Sequence, residues 1–155
     1  MKDSLILKML IAVFICLGLG FLSGYITTGA IEGWYATINK PGFNPPNWIF
    51  GPVWTLLYLL MGVSLYLVWV SKKKDNFAFI IFGVQLFLNS LWSLLFFGLQ
   101  NPLLAFLEIN LLWIAIAVTM FKFYKISKPA FYLLIPYILW VSFAYVLNLA
   151  IALLN

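Results

Sequence analysis

The chain has 155 residues, of which 65% are hydrophobic and only 8% charged, and its mean hydropathy is +1.07. A soluble domain is roughly half apolar and about a quarter charged, so this composition indicates a membrane protein. The chain contains no histidine and a single cysteine, Cys16, which excludes Ser-His-Asp triads, Cys-His dyads, histidine metal sites and intrachain disulfides. The basic residues are all lysines that mostly flank apolar runs, which argues against nucleic-acid binding.

Five apolar stretches are each long enough to cross a bilayer as a helix. Because backbone polar groups must be satisfied inside the hydrocarbon, they predict an all-α membrane protein, a bundle of five transmembrane helices in one domain over residues 1–155. A long structured loop joins the first two helices. The predicted spans are residues 5–26, 48–70, 77–99, 103–121 and 129–154.

Helix starts and breaks can be located from the prolines. Asn101 before Pro102 predicts an N-cap followed by proline at the first helical position, and Ser127 predicts a similar start for the last span. Pro52 and Pro136 lie inside spans near one end, where we expect a kink or local unwinding.

The lysines predict the orientation. With five spans, eight lysines fall on the side of the N-terminus and one, Lys40, on the opposite side. Cytoplasmic segments are enriched in lysine, so we expect a multi-pass protein with a cytoplasmic N-terminus and an external C-terminus. A composition with lysine but no arginine suggests an AT-rich bacterial genome, and hence the bacterial cytoplasmic membrane.

The connection between the first two spans is unusually long for a compact bundle. It combines buriable side chains, Trp34, Tyr35, Ile38 and Phe43, with three stiffening prolines. These residues fit a lid packed over the non-cytoplasmic mouth of the bundle, and they equally fit an aromatic belt at headgroup level.

Few polar side chains lie within the spans, and the most costly is Glu108. We expect it to form an interhelical hydrogen bond, with Asn89, Asn148 or a backbone carbonyl as candidate partners; ligand contact or proton handling is the alternative. Gln85 and Asn89 are four residues apart and share a helix face. Interhelical hydrogen bonding is the simpler interpretation of both amides.

Aromatic residues also share helix faces within the spans. Trp54 and Tyr58 lie on one face of the second span, and Trp140 and Ala144 on one face of the fifth. Rings lining an apolar cavity with a few amides would suit a flat, mostly apolar ligand, whereas ordinary packing between helices is the alternative. Gly20 and Gly24 form a GxxxG pair, which permits either intramolecular or dimer packing.

Several motifs resemble those of the TspO/MBR family, the tryptophan-rich sensory protein or translocator protein family, also called the peripheral benzodiazepine receptor family. The similarity extends from about Gly18 to Asn148. The residues that carry it are Trp34-Tyr35, Lys40-Pro41, Phe43, Pro45-Pro46, Trp48, Phe50, Pro52-Val53-Trp54, Leu57-Tyr58, Asn89, Trp92, Phe96-Phe97-Gly98, Ala105, Glu108, Pro136-Tyr137, Trp140, Phe143-Ala144 and Leu147-Asn148.

The resemblance implies a cavity beneath the first loop that takes porphyrins and synthetic aromatic ligands, and it implies a homodimer. The implied ligand contacts are Tyr35, Trp54, Gln85, Asn89, Trp140 and Ala144. No cofactor is required; protoporphyrin IX or haem is the expected ligand, and without histidine a metal-free tetrapyrrole fits better than haem. The other expected partners are membrane lipids.

The resemblance implies a role in porphyrin sensing, sequestration or stress response. A second hypothesis is enzymatic: light- and oxygen-dependent breakdown of bound porphyrin, with Trp54 and Trp140 as redox-active side chains and no conventional acid-base or metal site. A third is transport of porphyrin or sterol-like lipids, which the absence of an obvious inverted repeat disfavours.

Overall fold

The computed structural model describes residues 2–155, with side chains from Ser4 onward. Met1, the first residue of the predicted domain, and the Lys2 side chain, one of the lysines that predict the orientation, lie outside the described residues. Within the described part, five helical segments are long and apolar enough to cross a membrane, and each corresponds to one predicted span, the third ending at Gly98 instead of residue 99. They are Ser4–Glu32, Asn47–Val70, Asn76–Gly98, Pro102–Ile126 and Lys128–Leu154. The predicted helical bundle is confirmed.

The helices are numbered α1 to α7 along the chain. Two of the spans contain irregular turns: a 3₁₀ turn at Asn47–Ile49 precedes α3, and a π-helical segment at Leu94–Gly98 continues α4. The bounds are α1 Lys2–Glu32, α2 Trp34–Thr37, α3 Phe50–Val70, α4 Asn76–Ser93, α5 Pro102–Ile126, α6 Lys128–Leu133 and α7 Ile135–Leu154.

The predicted helix starts and the break at Pro136 are confirmed. The Asn101 side chain accepts a hydrogen bond from the Leu104 amide at 2.9 Å and caps α5. Ser127 caps α6 in the same way. Proline cannot continue a helical hydrogen-bond ladder, and the fifth span is accordingly divided into α6 and α7 at Leu134, two residues before Pro136.

Helix α1 is longer than the predicted first span and ends at Glu32 instead of residue 26. In its last turns the hydroxyls of Thr27 and Thr28 donate to the carbonyls of Ser23 and Gly24, at 2.9 and 2.8 Å, so both hydroxyls are satisfied within the helix. The connection to α3 is therefore shorter than predicted, and it includes the single turn of α2.

The two ends of the bundle differ in composition. We call the end that holds Lys72, Lys73 and Lys74, together with the start of α6, the lysine end. The opposite end carries residues 33–46, which we call the lid. Helix α1 packs against α3 and α4, while α5 packs against α4, α6 and α7.

At the lysine end the helices are in close contact. A Cβ added at Gly62 of α3 would lie only 2.6 Å from the Val13 Cα of α1. Farther along α3, the Ser64 hydroxyl donates to the Ala130 carbonyl of α6 at 2.8 Å. Phe82 and Phe123 stack with ring centroids 5.5 Å apart and an interplanar angle of 12°. This half of the bundle is a conventional packed core.

Candidate ligand cavity

A cavity of about 590 Å³ occupies the lid-end half of the bundle. Its volume falls within the range of roughly 300–1,000 Å³ that is typical of small-molecule sites. It is lined from α1 by Leu17, Gly20, Phe21, Ser23, Gly24, Tyr25, Thr27, Thr28 and Ile31; from the lid by Tyr35; from α3 by Phe50, Gly51, Trp54, Thr55 and Tyr58; from the third span by Asn89, Trp92, Ser93, Phe96 and Phe97; and from α7 by Trp140, Phe143, Ala144, Leu147 and Asn148.

Five of the six residues that the resemblance implies as ligand contacts line this one cavity. They are Tyr35, Trp54, Asn89, Trp140 and Ala144. Gln85 is outside the lining, because it lies one turn from Asn89 towards the lysine end. The Gln85 side chain accepts a hydrogen bond from Tyr137 instead of bordering the cavity.

The floor of the cavity is a buried hydrogen-bond network that joins three helices. The Tyr58 hydroxyl of α3 donates to Asn89 Oδ1 at 3.0 Å, and Asn89 Nδ2 donates to the Tyr137 hydroxyl of α7 at 2.7 Å. Tyr137 in turn donates to Gln85 Oε1 at 2.8 Å. We refer to Tyr58, Asn89, Tyr137 and Gln85 as the floor network. Both amides therefore form interhelical contacts, as interpreted from their spacing.

A second polar connection holds the wall of the cavity together. The Trp92 indole N–H of α4 donates to Asn148 Oδ1 of α7 at 3.0 Å, and Asn148 Nδ2 donates to the Pro102 carbonyl at the start of α5 at 2.7 Å. Three helix ends are thereby joined beside the cavity. The π-helical segment that follows α4 brings the consecutive side chains of Phe96 and Phe97 into the same buried aromatic layer.

The two tryptophans predicted for the site lie on opposite helices and are packed by other rings. The Trp54 ring centroid is 5.9 Å from that of Tyr58 and 6.5 Å from that of Tyr137. Trp140 lies 6.3 Å from Phe50 and 5.5 Å from Phe143. This packing limits the movement of both indoles, so they present fixed surfaces to the cavity.

The lid is packed onto the cavity, which favours the lid interpretation over an aromatic belt. Tyr35 is only 1% exposed, and its ring contacts Phe50 and Phe97. The Tyr35 hydroxyl donates to Asn44 Oδ1 at 2.5 Å. Burial raises the pKa of Tyr35 to about 12, although its hydrogen bond with Asn44 opposes the shift. The phenol therefore stays neutral at physiological pH and acts as a donor.

Two further contacts hold the lid in place. The Lys40 ammonium donates to the Tyr35 carbonyl at 2.6 Å and to the Ile38 carbonyl at 3.0 Å, so it stabilises the end of α2. Asn39 and Asn155 are joined by hydrogen bonds in both directions, each 3.0 Å long. The Asn39 amide side chain also donates to the Leu154 carbonyl at 3.3 Å. The lid is thus attached to the end of α7.

The surroundings of Glu108 differ from the prediction of an interhelical hydrogen bond. The predicted interhelical hydrogen bond is not formed, because neither carboxylate oxygen has a hydrogen-bond partner among the described residues. The side chain is only 7% exposed, on the buried face of α5. Asn89 and Asn148, the expected partners, are engaged by Tyr137, Tyr58, Trp92 and the Pro102 carbonyl instead.

The contribution of α1 to the lining is the main feature that the sequence reasoning missed. This helix is apolar on all sides, so no periodic stripe distinguishes the face that borders the cavity. The glycines of α1 were the sequence feature that could have indicated this contribution. A Cβ at Gly20 would overlap the Tyr58 ring, whereas Gly24 has no atom within 4 Å of an added Cβ. Gly20 is therefore used within the chain, and the two glycines do not form one packing surface.

The fold and the cavity together define a polytopic α-helical membrane protein with an aromatic-lined cavity under a loop. The profile of the TspO/MBR family matches residues 12–154, and the chain belongs to this family.

Three relatives illustrate the relationship. The chain is 47% identical to Tryptophan-rich protein TspO from Archaeoglobus fulgidus, with 97% of this chain and 98% of the relative covered. It is 44% identical to Tryptophan-rich protein TspO from Chlorobaculum tepidum, with 97% of each covered. It is 35% identical to Tryptophan-rich sensory protein from Cereibacter sphaeroides, with 83% of each covered. These full-length similarities agree with the resemblance drawn from the motifs.

Proposed function

We propose that this membrane protein binds a tetrapyrrole such as protoporphyrin IX in the cavity under the lid, and that binding serves porphyrin sensing, sequestration or a stress response. The observation that carries the proposal is the cavity of about 590 Å³, whose lining includes Trp54, Trp140 and Asn89. Flat rings that pack against indoles lose little polar hydration, and a lining rich in aromatic side chains suits them.

The chemistry of the lining favours a metal-free tetrapyrrole over haem. Axial ligands to haem iron come from His, Cys, Met or Tyr. Of these types, the lining includes only Tyr25, Tyr35 and Tyr58. The hydroxyls of Tyr35 and Tyr58 already donate to asparagine side chains, and Tyr25 lies on the outer surface, 79% exposed. Cys16 is buried in α1 and is not part of the lining. Haem would therefore be held by stacking, as a weakly ligated alternative.

The same proposal includes the membrane in which the protein lies, its orientation there and its role in sensing. The lysine asymmetry supports an N-terminus inside, so the lid would face outwards, and the use of lysine without arginine supports a bacterial cytoplasmic membrane. The word "sensory" in the name of the Cereibacter sphaeroides relative supports a sensing role. A homodimer remains a proposal from the resemblance, since Gly20 and Ala105 are used for packing within the chain.

Loss of either cavity tryptophan should weaken porphyrin binding. We expect Trp54→Ala and Trp140→Ala to reduce protoporphyrin IX affinity by about tenfold or more, equivalent to roughly 1.4 kcal/mol. Quenching of protein fluorescence in detergent or nanodiscs measures this affinity. Trp48→Ala is the matched control, because Trp48 is 73% exposed and outside the lining. Unchanged affinity in both cavity variants would contradict the proposal.

The alternative, light- and oxygen-dependent porphyrin degradation, is favoured by one specific observation. Both indoles line the same cavity, and Trp54 also contacts the rings of Tyr58 and Tyr137. An excited porphyrin would take one electron from such an indole and pass it to dioxygen, which becomes superoxide. The indole radical cation would then take one electron from the porphyrin, so that the porphyrin is oxidised and the indole is regenerated. Trp54→Phe and Trp140→Phe keep a stacking ring but remove the more oxidisable indole. A degrading enzyme should then bind porphyrin yet lose its product under illumination, whereas equal product formation in parent and variants argues against these residues as catalysts.

A further inference from the structure

The wall of the cavity is open between α1 and α3. Nearer the lysine end these two helices are in contact: Gly62 leaves only 2.6 Å between an added Cβ and the Val13 Cα, and Gly20 packs directly on the Tyr58 ring. Beyond Gly20 and Tyr58, towards the lid, the cavity lies between the same two helices. The contact between α1 and α3 therefore closes the cavity on the side of the lysine end and leaves it open on the side of the lid.

The residues around this opening line the cavity and are also exposed on the outer surface of the bundle. On α1 they are Phe21 and Tyr25, which are 80% and 79% exposed, together with Thr28. On α3 they are Gly51 and Thr55, both exposed. A side chain that lines a cavity while facing outwards marks a gap in its wall. Because this part of the bundle lies within two membrane-spanning segments, the gap faces lipid.

Apart from the Tyr25 hydroxyl, the rim of the gap is apolar, because its two threonines bond to their own helices. The Thr28 hydroxyl donates to the Gly24 carbonyl at 2.8 Å, and the Thr55 hydroxyl donates to the Gly51 carbonyl at 2.9 Å. Both hydroxyl protons thus point to their own helix, and methyl groups, rings and glycines remain to form the passage. A flat apolar molecule dissolved in hydrocarbon would cross such a rim without losing hydrogen bonds to water.

The lid offers a less accessible route. Tyr35 is 1% exposed, and Trp34 contacts Phe96 with ring centroids 5.7 Å apart. The hydrogen bonds between Asn39 and Asn155 hold the far side of the lid on the end of α7. Entry from the aqueous side would require these contacts to break.

We propose that the ligand enters and leaves the cavity sideways, from the lid-side leaflet of the bilayer, through the gap between α1 and α3. This inference rests on the proposed function, since it concerns the same cavity and the same flat apolar ligand. In this arrangement the lid is a fixed cover, and the membrane is the reservoir from which the ligand is taken.

Large side chains at the rim should slow binding without abolishing it. Gly24 and Gly51 are both exposed lining residues at which an added Cβ meets no atom within 4 Å, so Gly24→Phe and Gly51→Phe should fold. We expect the association and dissociation rate constants for protoporphyrin IX in nanodiscs both to fall by about tenfold. Because Gly24 and Gly51 also line the cavity, the test is that both rate constants fall; a variant that only weakened binding would raise the dissociation rate constant. Gly18→Phe is the matched control, because Gly18 is an exposed α1 glycine outside the lining.

Locking the lid gives the complementary measurement. A disulfide between Asn39→Cys and Asn155→Cys, in a Cys16→Ala background, should leave both rate constants the same in the oxidised and reduced proteins. Two results would overturn the lateral route alone. In the first, the parent protein binds porphyrin, and Gly24→Phe and Gly51→Phe leave the rate constants unchanged. In the second, the disulfide slows binding and the phenylalanine substitutions do not. A parent that binds no porphyrin contradicts the proposed function itself, and the route with it.

Discussion

At the lysine end, α1 and α3 touch through Gly62, whereas at the lid end the same two helices border a cavity of about 590 Å³. The residues that α3 presents explain the difference. Gly62 allows close approach in one half, while Trp54 and Tyr58, eight and four residues earlier, occupy the corresponding face in the other. Small residues let helices meet in a membrane, so residue size along a single helix determines which half is a core and which is a site.

The two halves also use polar groups differently. At the lysine end the polar contacts are short links between neighbouring elements, such as the Asp75–Lys122 ion pair at 3.0 Å. At the lid end they form the floor network, which closes the cavity from below. The first kind secures the ends of helices, and the second fixes the shape of a site. The following substitutions test this contrast.

The largest effect is expected from breaking the close contact at the lysine end. Gly62→Ala places a Cβ against the Val13 backbone, which cannot move as a side-chain tip can. We expect a loss of about 2 kcal/mol, within the usual cost of overpacking a core. Denaturation in mixed detergent measures it. Gly83→Ala is the control, since Gly83 is exposed with no atom near an added Cβ. Equal effects at both positions would argue against a packed interface.

An intermediate effect is expected at Glu108, where the polar arrangement of the lid half is incomplete. Its two carboxylate oxygens are buried without partners among the described residues, so Glu108→Leu should stabilise the fold by about 1 kcal/mol. Gln85→Leu is the contrasting control and should destabilise it, because Tyr137 would lose its acceptor. Thermal unfolding gives both values. If Glu108→Leu is destabilising, the carboxyl group has a structural role that the geometry does not reveal.

A second substitution of Glu108 tests whether the ligand site extends to α5. Glu108 is not part of the lining, and Glu108→Gln preserves its shape and much of its hydrogen-bonding capacity. Protoporphyrin IX affinity should therefore change by less than about tenfold, or roughly 1.4 kcal/mol. A larger loss in a well-folded variant would extend the site to α5.

The smallest effect is expected at the Asp75–Lys122 pair on the surface of the lysine end. The hydrogen bond from Lys122 lowers the pKa of Asp75 from its usual value of 3.8. A carboxyl group with a lowered pKa in the folded state stabilises the protein above its ordinary pKa, and this contribution disappears as the pH falls through the lowered value. Asp75→Asn should therefore be slightly less stable than the parent at neutral pH, and the difference should vanish in acid. Asparagine keeps the N-cap of α4, so a difference that persists at low pH would contradict the electrostatic explanation.

The spans and most helix starts could be predicted because strong local constraints determine them. Hydrocarbon thickness sets the length of a span, and Asn101 and Ser127 carry side chains suited to capping. The extension of α1 to Glu32 was missed. In this extension the threonine hydroxyls are satisfied by carbonyls four residues earlier, and composition alone does not distinguish such a segment from a polar loop.

The site was predictable where helical spacing places residues on one face. This holds for Trp54 with Tyr58 and for Trp140 with Ala144, all of which line the cavity. Spacing does not give depth along the helix axis. Gln85 shares a face with Asn89 but lies one turn, about 5.4 Å, closer to the lysine end, where it accepts from Tyr137.

The floor network has a consequence for chemical discrimination. Its amides and phenols already satisfy one another: Asn89 accepts from one tyrosine and donates to another, and Gln85 accepts from the second. When the buried polar groups of a site depend on the ligand for their hydrogen bonds, the site rejects analogues that lack the matching atom. An apolar pocket separates related molecules only weakly. Here an incoming molecule leaves no buried donor or acceptor of the network unpaired, whichever polar atoms it carries. Selection in this cavity therefore depends on planarity and size, and a range of flat aromatic molecules should compete for it.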